Sequence, residues 1–196
     1  MYKRQVIVAL EGVDGAGKTT LIDLLGAEFG NLAGVYSRTK KGKIVDYIVS
    51  SNFMQKNRQL QIPIYLLLSL KNYLFFFKNR HKQIILMDRC FLSNFCYFYF
   101  DYLFDKEKFE RMMRFEVKLL PQKIFIINIE PLTAYQRDKK RKQMDWIIST
   151  QKNYLLCKNS PMLEGFHIEI LDNNMTIVNK KDRISNYIRG EMGYGY

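Results

Sequence analysis

Apolar positions along the chain fall into runs of two kinds. Short runs rich in β-branched residues occur at Gln5–Leu10 (QVIVAL), Gln83–Met87 (QIILM), Ile124–Ile129 (IFIINI) and His167–Leu171 (HIEIL), with a weaker one at Gly34–Ser37. Near-continuous apolar runs of this length predict strands buried on both faces, the habit of a parallel sheet. Elsewhere the spacing stretches to three and four. Leu21, Ile22, Leu24, Leu25 and Phe29 predict a helix that starts at Lys18 and stops at Gly30. Tyr65–Phe77 reads as a long buried helix, Phe95–Tyr102 and Phe109–Leu120 as two more, Thr133–Lys142 as a very basic one and Lys180–Arg189 as the last. Strands separated by helical stretches need crossover connections. The pattern therefore predicts an α/β fold: a parallel sheet of about five strands with helices on both faces. No internal repeat or long linker divides the 196 residues, so a single domain over 1–196 is expected, with the terminal Gly-Tyr-Gly-Tyr frayed.

Composition narrows the partners. Lys and Arg number 31 against 19 Asp and Glu, a formal charge of +12, which points to anionic ligands: nucleotides, nucleic acid or anionic lipid. The longest apolar stretch, Ile62–Phe77, is broken by Pro63, Lys71 and Asn72 and is too short to span a bilayer, so no membrane association is expected. The first residues run straight into a strand, without a cleavable signal pattern. Cys90, Cys96 and Cys157 are odd in number and form no C-x-x-C pair, which suits reduced thiols in the cytoplasm. His81 and His167 lack ligand-like spacing, so no zinc site is expected.

The residues between the first strand and first helix carry specific chemistry. Gly12-Val13-Asp14-Gly15-Ala16-Gly17-Lys18-Thr19 matches G-x-x-x-x-G-K-[ST] in the required strand–loop–helix context. Glycines let the backbone bend around a phosphate without Cβ clashes, and successive N–H groups and the helix N-terminus then face the anion. Gly12, Asp14, Gly15, Ala16, Gly17, Lys18, Thr19 and Thr20 are the candidate donor-binding residues. Lys18 is expected to reach the β- and γ-phosphates of ATP, and the Thr19 hydroxyl to hold Mg²⁺. The fold implied is a P-loop NTPase-type three-layer sandwich. The alternative is a tight strand–helix turn with an incidental lysine.

Glu11-Gly12-Val13-Asp14-Gly15-Ala16-Gly17-Lys18-Thr19-Thr20 also closely resembles the phosphate loop of the thymidylate kinase family. So does Asp88-Arg89-Cys-Phe-Leu-Ser93-Asn-Phe-Cys-Tyr97, set against a family pattern of DR-x-x-x-S-x-x-A-Y. The resemblance implies roles for these residues. Asp14 would contact the acceptor sugar and the metal's water shell. Asp88 would be a metal-shell carboxylate and Arg89 the clamp on the acceptor phosphate. Ser93 and Tyr97, four apart and able to share a helix face, would line the acceptor pocket. A homodimer is implied as well. Alongside these readings stand a surface ion pair for Asp88-Arg89 and a plain core position for Tyr97.

A lid is expected at about 131–146. Transfer between two anions gathers negative oxygens that cations must offset, more strongly in the transition state. The loop has Gly15, not Arg, at its centre, so the missing cation must come from elsewhere. Arg137 and Arg141 are i and i+4 on one helical face and are the candidates; a solvated basic helix is the alternative. The chain departs from the family where L-L-F-x-x-x-R is usual and Leu66-Leu67-Leu68-Ser69-Leu70-Lys71-Asn72 stands. Leu68 replaces a base-stacking Phe and Asn72 a phosphate-gripping Arg. Lys71 points about 100° away from Asn72 on an ideal helix. Phe98 replaces a Gln. Arg38 follows the second strand and is a further candidate for the acceptor.

Three functions compete at this point. The first is a nucleoside monophosphate kinase of thymidylate-kinase type, using ATP and Mg²⁺ on dTMP or a related monophosphate. The second is a deoxynucleoside kinase, whose hydroxyl acceptor benefits from a carboxylate base; Ser37 to Lys43 supplies none. The third is a nucleotide-dependent nucleic-acid-binding protein, suggested by the charge but unsupported by any recognised motif.

Overall fold

A computed structural model describes residues 5–37, 74–114, 120–137 and 143–193, the side chain of Phe98 excepted. Five strands form one parallel sheet in the order β2-β3-β1-β4-β5. They are β1 (Val6–Glu11), β2 (Ala33–Ser37), β3 (Ile84–Asp88), β4 (Lys123–Ile127) and β5 (His167–Leu171). Every residue of β1 and β3 is buried, as their unbroken apolar runs require. β1 pairs in parallel with both β3 and β4, so the chain crosses over between strands and β1 lies at the centre.

Helices cover both faces. Helix α1 (Lys18–Phe29) packs on β1, β2 and β3 and against the last described helix, α6 (Ile177–Glu191). α2 (Leu92–Phe98) packs against α5 (Met144–Cys157), which also contacts α4 (Pro131–Arg137). α3 (Lys106–Met113) starts at Asp105, whose carboxylate accepts the Lys108 N–H at 3.0 Å and caps the helix. Among the described residues no helix is long and apolar enough to cross a membrane.

The α/β fold and the parallel sheet are as the sequence predicts; several boundaries are not. The aromatic block expected as one helix over Phe95–Tyr102 begins at Leu92, ends at Phe98, and continues as a 3₁₀ turn over Phe100–Phe104. Aromatic residues at nearly every position have no single apolar face, so spacing cannot mark the break. α3 starts three residues before the expected Phe109 because its cap is polar. β4 ends at Ile127, two residues early, where Asn128 turns its N–H to the Leu171 carbonyl at 3.0 Å. The basic helix starts at Pro131, a favoured first-turn residue, and is described to Arg137. Of the expected Tyr65–Phe77 helix, residues 74–77 are helical, in a helix that runs on to 78, and the rest lies outside the described residues, as do 115–119 of the expected Phe109–Leu120 helix and 138–142 of the lid; Leu120 is not helical.

Candidate functional site

The carboxyl ends of β1, β3 and β4 meet around the loop 12–17. Two close approaches demand glycine there. Gly12 has φ 134° and its Cβ would lie 2.7 Å from the Ile127 carbonyl oxygen; Gly15 has φ 82° and its Cβ would lie 2.5 Å from that of Ala134. The loop is thereby pressed against β4 and α4. Lys18 opens α1 but is buried, and its ammonium donates to the carbonyls of Gly12 at 2.9 Å and Val13 at 2.7 Å. Burial drives its pKa down from 10.5 to about 7, and the nearby Arg89 guanidinium adds to the fall against the opposing pull of Asp14, Asp88 and Glu11. Thr19 and Thr20 follow in the first turn, both exposed.

Beside the loop sits a buried polar cluster centred on two residues of opposite charge. Arg89 takes a left-handed backbone conformation, φ 71°, costly for a residue with a Cβ, directly after β3. Its backbone N–H donates to the Leu10 carbonyl at 3.1 Å. Its guanidinium donates to the Gly12 carbonyl at 2.9 Å, to Ser93 Oγ and Tyr154 OH at 3.2 Å each, and to Asp14 Oδ1 at 2.5 Å. The Arg89 guanidinium lies 5.1 Å from the centre of the Tyr97 ring. Burial alone would weaken the guanidinium's hold on its proton. Tyr97, Tyr154, Glu11 and Asp14 outweigh that and keep it charged.

Glu11 is the partner that sequence reasoning left without a role. Fully buried, it accepts the N–H groups of Cys90 at 2.7 Å and Ser93 at 3.2 Å and the hydroxyls of Ser93 at 2.6 Å and Tyr154 at 3.0 Å. It thus ties β1 to the turn after β3 and to α5. A lone acid closing an apolar strand, one residue before the loop, was the available signal. Burial pushes the Tyr154 hydroxyl pKa up, with the Glu11 charge adding, so it stays a neutral donor. Tyr97 is also held above its ordinary range, by burial first, then by Asp14 and Glu11 against Arg89. Its ring stacks on Trp146 at 5.1 Å and 5°. The structure therefore brings together Asp14, Lys18, Arg89, Ser93 and Tyr97.

Asp88 ends β3 beside Leu10 and Ser37 and accepts from Ser37 Oγ at 3.3 Å. Among the described residues no three His, Cys, Asp or Glu side chains group into a metal cage. The Thr19 hydroxyl and the Asp88 carboxylate are oxygen donors of the kind Mg²⁺ takes alongside water and phosphate oxygens. On the other side of the loop a cavity of about 420 Å³ is lined by Ala16, Gly17, Arg137, Asn173, Asn174 and Lys180, among others. Arg137, exposed at the end of α4, belongs to this wall. Arg38, Leu68, Lys71, Asn72 and Arg141 lie outside the described residues.

A family model described as thymidylate kinase matches residues 10–187, nearly the whole chain and every element of this site. The chain belongs to the thymidylate kinase family. As a member of it, the protein is a nucleotide-binding phosphotransferase, a nucleoside monophosphate kinase by family. Among solved structures it resembles a thymidylate kinase from Ehrlichia chaffeensis, with a TM-score of 0.67 over 94% of this chain and 99% of that one, at 14% identity. That likeness establishes the fold. A search of curated proteins finds no match.

Proposed function

We propose that the protein transfers the γ-phosphoryl group of ATP to a deoxynucleoside monophosphate of the dTMP type. What supports this reading is a cavity bordered by the loop at Ala16 and Gly17, together with a buried Arg89 cluster bonded to the loop at Gly12 and Asp14. The cavity on the Ala16–Gly17 side takes the donor, and the buried Arg89 cluster on the Asp14 side takes the acceptor phosphate. Lys18, held between them, neutralises charge on the transferring group. Arg137 and Arg141 supply the remaining cations from the lid at about 131–146. Arg38, Leu68, Lys71 and Asn72 line the acceptor pocket with Ser93 and Tyr97. Thr19 and Asp88 would hold Mg²⁺, which when bound would supply charge neutralisation on the donor phosphates.

A monophosphate acceptor is already an anion and needs no strong base. Asp14, the carboxylate within the loop, is engaged by Arg89 and is poorly suited to deprotonate a sugar hydroxyl. This favours a monophosphate over a nucleoside as acceptor. We also infer one kinase domain over 1–196, a homodimer and a cytoplasmic site of action. The deciding experiment is ADP release from Mg-ATP across a panel of nucleoside monophosphates and nucleosides. Turnover with dTMP or a close analogue is expected. Turnover with nucleosides alone would replace this reading by the nucleoside kinase.

A further inference from the structure

Helix α6 buries Lys180, Ile184, Ser185 and Ile188, a stripe in which the last three follow Lys180 by four, five and eight residues. Lys180 thus occupies an inward position where an aliphatic side chain would serve packing better. Taking an ammonium out of water is costly unless partners replace the lost hydration. Lys180 has few. Its Nζ donates to the Asn128 carbonyl at 3.1 Å, and among the described residues no carboxylate lies within ion-pair distance of it. Asn128 is itself pinned, its side chain accepting from Gln151 and its N–H bonded to the Leu171 carbonyl, so that carbonyl is a fixed post. Burial lowers the Lys180 pKa, Arg137 adds to the effect, and Asp172 opposes it.

The position of this charge matters more than its rarity. Lys180 lines the cavity that opens from Ala16 and Gly17, and Ile177, one turn earlier on α6, borders the phosphate loop at Gly17. If phosphates sit in the loop, as proposed above, the rest of the donor fills this cavity. The phosphates have their own donors in the loop N–H groups and Lys18. Arg137 and Lys180 are the further cations on the cavity wall, beside the carboxylate of Glu130, and Lys180 is the buried one of the two, available to the base. An ammonium donates three hydrogen bonds and accepts none. It matches a keto oxygen or ring nitrogen and opposes an exocyclic amine.

We propose that Lys180 reads the base of the phosphoryl donor, donating to an acceptor atom on the purine edge and improving the standing of a keto purine relative to an amino purine. The proposal rests on the donor reading of the cavity. Its test is calorimetric titration of wild type, Lys180→Met and Lys180→Arg with ADP, GDP and tripolyphosphate, without acceptor. We expect Lys180→Met to weaken GDP binding at least tenfold and to shift the GDP-to-ADP affinity ratio at least fivefold towards ADP. Tripolyphosphate affinity should stay within twofold and Lys180→Arg should recover part of the ratio. An unchanged ratio, or an equal loss for tripolyphosphate, overturns the proposal and leaves the donor reading standing. Wild type that binds tripolyphosphate but neither nucleotide overturns both. Should Lys180→Met fold poorly, Lys180→Leu carries the same comparison, because it too removes both the charge and the donor while filling the inward position of the helix.

Discussion

The Lys18 ammonium is held against two loop carbonyls in a buried site, and burial sets its pKa near 7. At pH 8 it is therefore mostly neutral in the free protein. A polyphosphate brought against it favours the charged form, so binding should draw a proton from solvent. Titration of ADP in two buffers of different ionisation enthalpy at pH 8 should show uptake of part of a proton, and none in Lys18→Met. The sign is diagnostic, because proton release would place the phosphate elsewhere. Glu11 makes a second prediction. It satisfies two N–H groups and two hydroxyls and faces Arg89 at 3.8 Å. Glu11→Ala strands all of these in a dry interior and should cost about 3–5 kcal/mol in urea unfolding. Glu11→Gln keeps an acceptor oxygen and should cost clearly less.

Loops and helices carry constraints that single contacts do not. The phosphate loop is wedged between β4 and α4, so adding one methyl group at Gly15 drives it into the Ala134 carbonyl with an unfavourable φ. Gly15→Ala should weaken ADP binding at least tenfold, about 1.4 kcal/mol. Gly190, inside α6, is the control, because a methyl group added there would meet nothing within 4 Å. Gly190→Ala should raise stability by about 0.5–1 kcal/mol, through helix propensity alone. The lid arginines separate in the same way. Arg137 ends α4 on the wall of the cavity proposed for the donor. Arg137→Met should therefore raise the donor KM. Arg141→Met should lower kcat at least tenfold, as expected of a charge used in the transition state. Equal kcat in wild type and Arg141→Met would remove that residue from the mechanism.

Across the molecule, the charge of +12 asks for an anionic partner, and the proposed nucleotide site, with Arg89, Lys18, Arg137 and Lys180 around it, would meet part of that demand. Several basic residues are already committed to surface ion pairs, among them Lys123 and Arg183 to Glu169 and Lys181 and Arg189 to Glu28. Such pairs contribute little stability and do not change the net charge, but they hold these four side chains on carboxylates and away from a phosphate backbone. Binding to single- or double-stranded DNA should accordingly be weak and show a shallow slope of log K against log salt. A steep slope, at several charges released, would revive the nucleic-acid reading.

The linear order of residues was enough to specify the parallel sheet, because strands buried on both faces must be apolar throughout and the helices between them are too long for hairpins. It was enough for the phosphate loop, because that motif is local: three glycines, a lysine and a hydroxyl within eight positions. The place of Asp88 and Arg89 at a strand end was legible for the same reason, since they directly follow an unbroken apolar run. Glu11, Tyr154 and Lys180 were not, and their spacing explains why. Glu11 meets Tyr154 across 143 positions and Lys180 meets Asn128 across 52. One-dimensional patterns record which side a residue faces but not which distant residue faces it. Burial, and with it every shifted pKa in the site, exists only once β1, β3, α5 and α6 have packed together and excluded water.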